Sequence, residues 1–115
     1  MAKDISKNSL SVFEQIKNID ENGNEFWMAR RLAKVLDYTD FRNFTGVIEK
    51  ASEACKKSGQ QVADHLVGFN EVVPVGSGAT HTYPSYKLSR YMCYLIVQNA
   101  DPSKEVVALG QTYFA

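Results

Sequence analysis

Residues 28–58 constrain the fold of this chain more than any other stretch, because two helical periodicities follow one another with only "YTD" between them. At about 100° per residue, Met28, Leu32, Val35 and Leu36 share one face of the first run, and Arg30, Arg31 and Lys34 the opposite one. Thr39 or Asp40 can cap the second run. There Phe41, Phe44, Ile48, Ala51 and Cys55 recur at three- and four-residue spacing to about Ser58, with Val47 and Ala54 widening the stripe. Gly59 then stands where a helix commonly ends. The wet side of this second helix carries Arg42, Gly46, Glu49, Lys50, Glu53 and Lys57.

The remaining elements are shorter. Leu10, Phe13 and Ile16, with Val12 beside them, predict a short amphipathic helix over 9–18, a strand being the alternative. Asn22-Gly23 marks a turn, since both residues tolerate positive φ. "EFWM" after it reads as a short strand entering the first of the paired helices. Residues 65–90 predict two strands joined by a glycine-rich turn, with Pro74 and Pro84 suggesting edge or irregular strands because proline cannot donate to a ladder. "RYMCYLIVQN" is apolar nearly all round and predicts a buried helix. After it, Asp101 as cap and Pro102 at the first helical position begin a last helix running to Ala115. The expected fold is therefore α+β: a small antiparallel sheet or hairpin packed with about five helices, including a helix-turn-helix-like pair. Residues 1–8 are expected to be a flexible N-terminus and 9–115 a single domain. Its end on uncapped aromatics, "TYFA", suggests a piece of a longer protein.

Charge is unevenly placed. The formal net charge is zero, from 13 Lys and Arg against 13 Asp and Glu. Between Arg30 and Lys57, however, seven Lys or Arg face four Asp or Glu, and from Ser58 to Pro84 there is no Lys or Arg. A domain dedicated to nucleic acid is often basic overall, so any such role here must rest on local placement. Two readings of the basic cluster stand. As a DNA grip, Arg30, Arg31 and Lys34 would neutralise phosphates, while Arg42, Asn43, Gly46 and Lys50 would face a groove. Arginine can read guanine and asparagine adenine through two bonds, and glycine lets the backbone approach. As an ordinary solvated face, the same residues would be diluted by Asp37 and Asp40, with Glu53 and Lys57 forming an i,i+4 pair. The break is long for a helix-turn-helix and lacks the usual turn glycine.

Other chemistry finds little support. "GSGAT" lacks the Lys-Ser/Thr ending of a phosphate loop. Cys55, His65, His81 and Cys93 match no zinc spacing, so no metal or other cofactor is expected. No nucleophile motif occurs, and the chain is not expected to be an enzyme. The cysteines read as reduced and structural. The longest apolar run, "YMCYLIV", is too short to cross a bilayer, and "MAKDISKNS" lacks the apolar stretch of a leader, so the expected location is the cytoplasm, with no membrane partner.

The segments "FEQIKNIDENGNEFWMARRLAKVLDYTDFRNFTGVIEKASEACKKSGQ", "DHLVGF" and "YKLSRYMCYLIVQNADPSKEVVALGQTYFA" together resemble the N-terminal region of the bacterial DNA damage-inducible protein D family. That region carries a domain similar to the BRO N-terminal domain of viral and phage antirepressor-like proteins. The resemblance runs from about Phe13 to Ala115 and is weakest at the turn around 74–84. It implies a DNA-binding module of a bacterial SOS-response protein, and no catalytic residue. The expected DNA-binding residues are Arg30, Arg31, Lys34, Arg42, Asn43 and Lys50. The alternative is a protein-interaction module docking on a DNA repair or recombination protein, for which the nearly uncharged 58–84 segment could supply an edge strand; a homodimer is a further expectation.

Overall fold

The computed structural model describes residues 12–115, so the expected flexible stretch 1–8 and Leu10 lie outside the described residues. Four strands, β1 (Lys17–Ile19), β2 (Glu25–Met28), β3 (Leu66–Pro74) and β4 (Thr80–Leu88), form one sheet in the order β1-β2-β4-β3. Every pairing is antiparallel. Helix α1, described over 12–15, precedes the sheet. Helices α2 (Ala29–Val35) and α3 (Phe41–Lys57) separate β2 from β3, with a 3-10 turn at Val62–Asp64. Helices α4 (Arg90–Asn99) and α5 (Glu105–Phe114) follow the hairpin. This is the α+β class the periodicities predict.

Local chemistry sets the boundaries. The helix expected over 9–18 stops early: Lys17, Asn18 and Ile19 pair instead with Trp27, Phe26 and Glu25. Asp20 closes that hairpin, its Oδ1 accepting the N–H of Asn22 and of Asn24 at 2.9 Å each, with Gly23 at φ 84°. A three-residue strand is too short to show a period of its own. Helix α2 ends at Val35, two residues before the expected end. Asp37 adopts φ 66°, the left-handed position that a turn glycine would otherwise fill. Tyr38 N–H then returns to Ala33 C=O at 2.9 Å. Of the two expected caps, Thr39 and Asp40, helix α3 begins on Asp40, whose side chain accepts from Arg42 N–H at 2.9 Å. The last helix starts at Glu105, not near Pro102. Asp101 caps only a turn, accepting from Ser103 N–H at 3.0 Å and Ser103 O–H at 2.8 Å.

Pro84 lies in β4, which is an inner strand by sheet order. Yet β4 pairs with β2 only at Leu88 and Lys87. At Pro84 no strand among the described residues lies on its other side, so the missing N–H disrupts no ladder bond. Beyond that short pairing, β3 and β4 continue alone as a two-stranded arm to the tip at 75–79.

The core joins all layers. Phe13, Trp27, Leu32, Leu36, Phe44, Leu88, Met92, Ile96, Val97 and Val107 are completely buried. Trp27 Nε1–H donates to Phe13 C=O at 2.9 Å, tying α1 to the sheet. Cys55 and Cys93 are buried and free, and burial pushes both thiols up from their ordinary value. Among the described residues, no helix is long and apolar enough to cross a membrane.

Candidate nucleic-acid interface

The six residues expected to contact DNA sit on α2 and at the exposed side of α3, but in different states. Arg30 is pinned. Its Nε–H donates to Pro84 C=O at 2.8 Å, and its guanidinium carbon lies 4.1 Å from the Phe41 ring centroid and 5.0 Å from that of Tyr83. One side chain thus joins α2, the start of α3 and the β4 arm through a hydrogen bond and two cation–π contacts.

Arg31 is tied to a residue that the helical periodicity gave no reason to single out. Glu71, on β3, is 1% exposed. Its Oε1 accepts from Ser85 O–H at 2.6 Å and from Arg30 N–H at 3.3 Å. Met28, the residue preceding α2, offers no side-chain cap, so Glu71 satisfies a first-turn N–H of α2 from across the fold. Its Oε2 has no hydrogen-bond partner among the described residues, and lies 3.5 Å from Arg31 Nε. The two are close enough to pair as charges but poorly aligned for a bond. The sequence did carry a signal for Glu71: strand alternation places it with Phe69 and Val73 on the packed face of β3.

Lys34 is exposed and lies in the last turn of α2. On α3, Asn43 and Lys50 are exposed. Arg42 is 90% exposed and grips its own cap: Nη2–H reaches Asp40 Oδ2 at 2.9 Å and Nε–H reaches Oδ1 at 3.3 Å. The Arg42 side chain and N–H together hold the Asp40 carboxyl below its ordinary range. Gly46, between Asn43 and Lys50, has open space where a Cβ would stand.

Arg30, Arg31 and Lys34 come together on a cleft of about 270 Å³, with Glu71 and the apolar Val35 and Val73. A wider groove of about 590 Å³ runs between the start of α3 and the arm, with Arg30, Phe41, Thr45, Phe69 and Tyr86 among its walls. Arg42, Asn43 and Lys50 line neither. Arg30 is the residue shared by both clefts.

Elsewhere, polar contacts serve the fold. Ser89 caps α4 by accepting from Met92 N–H at 3.0 Å, and lies 2.8 Å from His65 Nδ1. Arg90 donates twice to Glu25, at 2.7 and 3.1 Å, and to Tyr113 C=O at 3.2 Å, joining β2, α4 and α5. Burial and a hydrogen bond to Glu14 push the Tyr113 hydroxyl up to about 12. Among the described residues, no three His, Cys, Asp or Glu side chains converge as a metal site would require. The hairpin tip has Gly76, Ser77 and Gly78 all at positive φ and carries no Lys or Arg.

The BRO family, N-terminal domain, matches residues 15–115. DNA damage-inducible protein D of Escherichia coli (strain K12) is 50% identical over 103 residues, covering 90% of this chain and 38% of that protein. The chain therefore spans well under half the length of this curated relative. No solved structure matches the chain.

Proposed function

We propose, from the premise that this chain belongs to the BRO family through its N-terminal domain, that it is a DNA-binding module without catalytic activity. The observation that carries this reading is the run of solvent-facing Lys34, Arg42, Asn43 and Lys50 along the paired helices α2 and α3. The name of the Escherichia coli relative adds a role in the response to DNA damage, and we extend this to the SOS response and to the bacterial cytoplasm.

In this reading, the α2 face that carries Arg30, Arg31 and Lys34 is turned towards the phosphates, with the exposed Lys34 foremost, and the first turns of α3 face a groove, with Arg42, Asn43 and Lys50 nearest the bases. Phosphate contacts release counterions, so affinity falls with salt at a log–log slope of about 0.9 per contact on duplex DNA. The test is a salt titration of duplex binding by the 115-residue chain. Alanine at Arg30, Arg31 and Lys34 together is expected to weaken binding and flatten the slope. Unchanged affinity and slope would show that this face does not meet DNA.

A second reading rests on β3, whose outer edge is unpaired along Leu66–Pro74 among the described residues. Val67 and Val72 on it are about half exposed, at 48% and 53%, and the surrounding 58–84 segment has no Lys or Arg. Such an edge suits strand addition by a protein partner, for instance a DNA repair or recombination protein, or a second copy of this chain. Association that survives high salt and nuclease treatment supports this reading over the first.

A further inference from the structure

Among the described residues, Glu71 is the one buried charge beneath the α2 cations, and DNA binding alone gives it no task. Resting on the DNA-binding reading above, we infer that Glu71 sets how many of those cations reach phosphate, because it holds Arg31 in an ion pair that DNA must break. Glu71 is a positioning residue in this scheme and never touches the nucleic acid.

The geometry argues this from both partners. The Glu71 carboxylate is sealed in the protein, its Oε1 fixed by Ser85 O–H and Arg30 N–H. It cannot follow Arg31 outward. Its Oε2 has no other donor among the described residues, so Arg31, 3.5 Å away, is the cation that offsets its charge. Arg31 is 49% exposed on its other side, so its guanidinium stands between a buried carboxylate and solvent. A phosphate is an oxyanion of the same kind and competes for the same fork. Moving Arg31 to phosphate would strand a buried carboxylate, which is costly in a low-dielectric interior. Lys34, one turn further along the same cleft, is exposed and pairs with no carboxylate among the described residues. The prediction is therefore unequal: Lys34 contributes a phosphate contact in the native protein and Arg31 does not.

Glu71→Gln tests this with little change of shape. The amide oxygen can keep the bonds from Ser85 and Arg30, and the amide nitrogen no longer attracts Arg31. Binding of a short DNA duplex is measured against salt for the native chain, E71Q, R31A and the double variant. E71Q is expected to bind more tightly, with a log–log slope steeper by about 0.9, the signature of one added phosphate contact. That extra contact makes the affinity loss between about 50 and 200 mM salt larger by about 3.5-fold. R31A alone should leave the native slope unchanged, and added to E71Q it should remove the gain. A native-like slope in folded E71Q, or a gain that persists without Arg31, overturns the inference. Should E71Q not fold, R31A alone decides: a drop of about one contact in its slope means Arg31 was never withheld. Absence of duplex binding by the native chain itself overturns the DNA-binding reading, and this inference with it.

Discussion

The same substitution, glycine to alanine, is expected to have opposite effects at two helical positions. In α3, Gly46 is exposed and an added Cβ meets nothing within 4 Å. Alanine there gains only the lower entropy cost of helix formation, about 0.8–1.0 kcal/mol. In α5, Gly110 is buried, and its Cβ would stand 3.0 Å from Val97 Cγ1 and 3.2 Å from Phe13 Cζ. Comfortable carbon contacts lie at about 3.5–4.0 Å, so both neighbours must retreat by roughly half an ångström. Neither has room. Val97 and Phe13 are 0% exposed, and Phe13 is packed by the rings of Tyr113 and Phe114, each at 5.3 Å between centroids. Overpacking of this kind costs about 1–3 kcal/mol. Set against the helix gain of about 1 kcal/mol, the balance for Gly110→Ala is a loss on the order of 1 kcal/mol. For a domain of this size, 1 kcal/mol moves the melting temperature by about 4 °C. Thermal unfolding followed by circular dichroism should thus show Gly46→Ala melting higher and Gly110→Ala lower than the native chain, each by about that amount. A Gly110→Ala melt equal to or above the native value would refute the claim that α4, α5 and α1 meet tightly there. Gly46→Ala also bears on function. If the backbone of α3 approaches DNA at Gly46, this more stable variant must bind DNA less well; unchanged affinity would remove Gly46 from the interface.

Three further outcomes are expected. Asp40→Asn keeps a good N-cap on α3 but drops the charge that grips Arg42; its melt should stay near native while duplex affinity rises as Arg42 is freed for the groove, and an unchanged affinity argues that Arg42 does not meet DNA. The Arg90 guanidinium, bonded to Glu25, holds that carboxyl below its ordinary value of 4.5, so the stability it adds is present above that value and is lost as pH falls through the lower folded-state one; Glu25→Gln should therefore be less stable than native at neutral pH, with the gap closing under acid, and a gap independent of pH would contradict the pairing. Ser89→Ala removes the cap of α4 and should cost about 1 kcal/mol in denaturant unfolding, whereas an unchanged midpoint would mean Met92 N–H finds another acceptor.

The sequence alone determined the elements whose signal is local. The stripe from Phe41 to Cys55, the cap at Asp40, the paired strands across 66–88 and the buried run 90–99 all follow from spacing within one element, and each stands close to where spacing puts it. The opposed basic and apolar sides of α2 were legible for the same reason. What tertiary structure decided involves partners far apart in the chain. Lys17–Ile19 became a strand because Glu25–Trp27 was there to pair with it, which no three-residue pattern announces. Arg90 and Glu25 meet across 65 residues. Most of all, the sequence placed Arg30, Arg31 and Lys34 on one face as three equivalent cations. Folding made them unequal: Arg30 is clamped between two rings, Arg31 is held by Glu71 from 40 residues away, and Lys34 stays exposed. Helical periodicity fixes which way a side chain points. Only the packed hairpin decides which opposite charge lies within reach, and that sets whether a cation is free to bind a ligand.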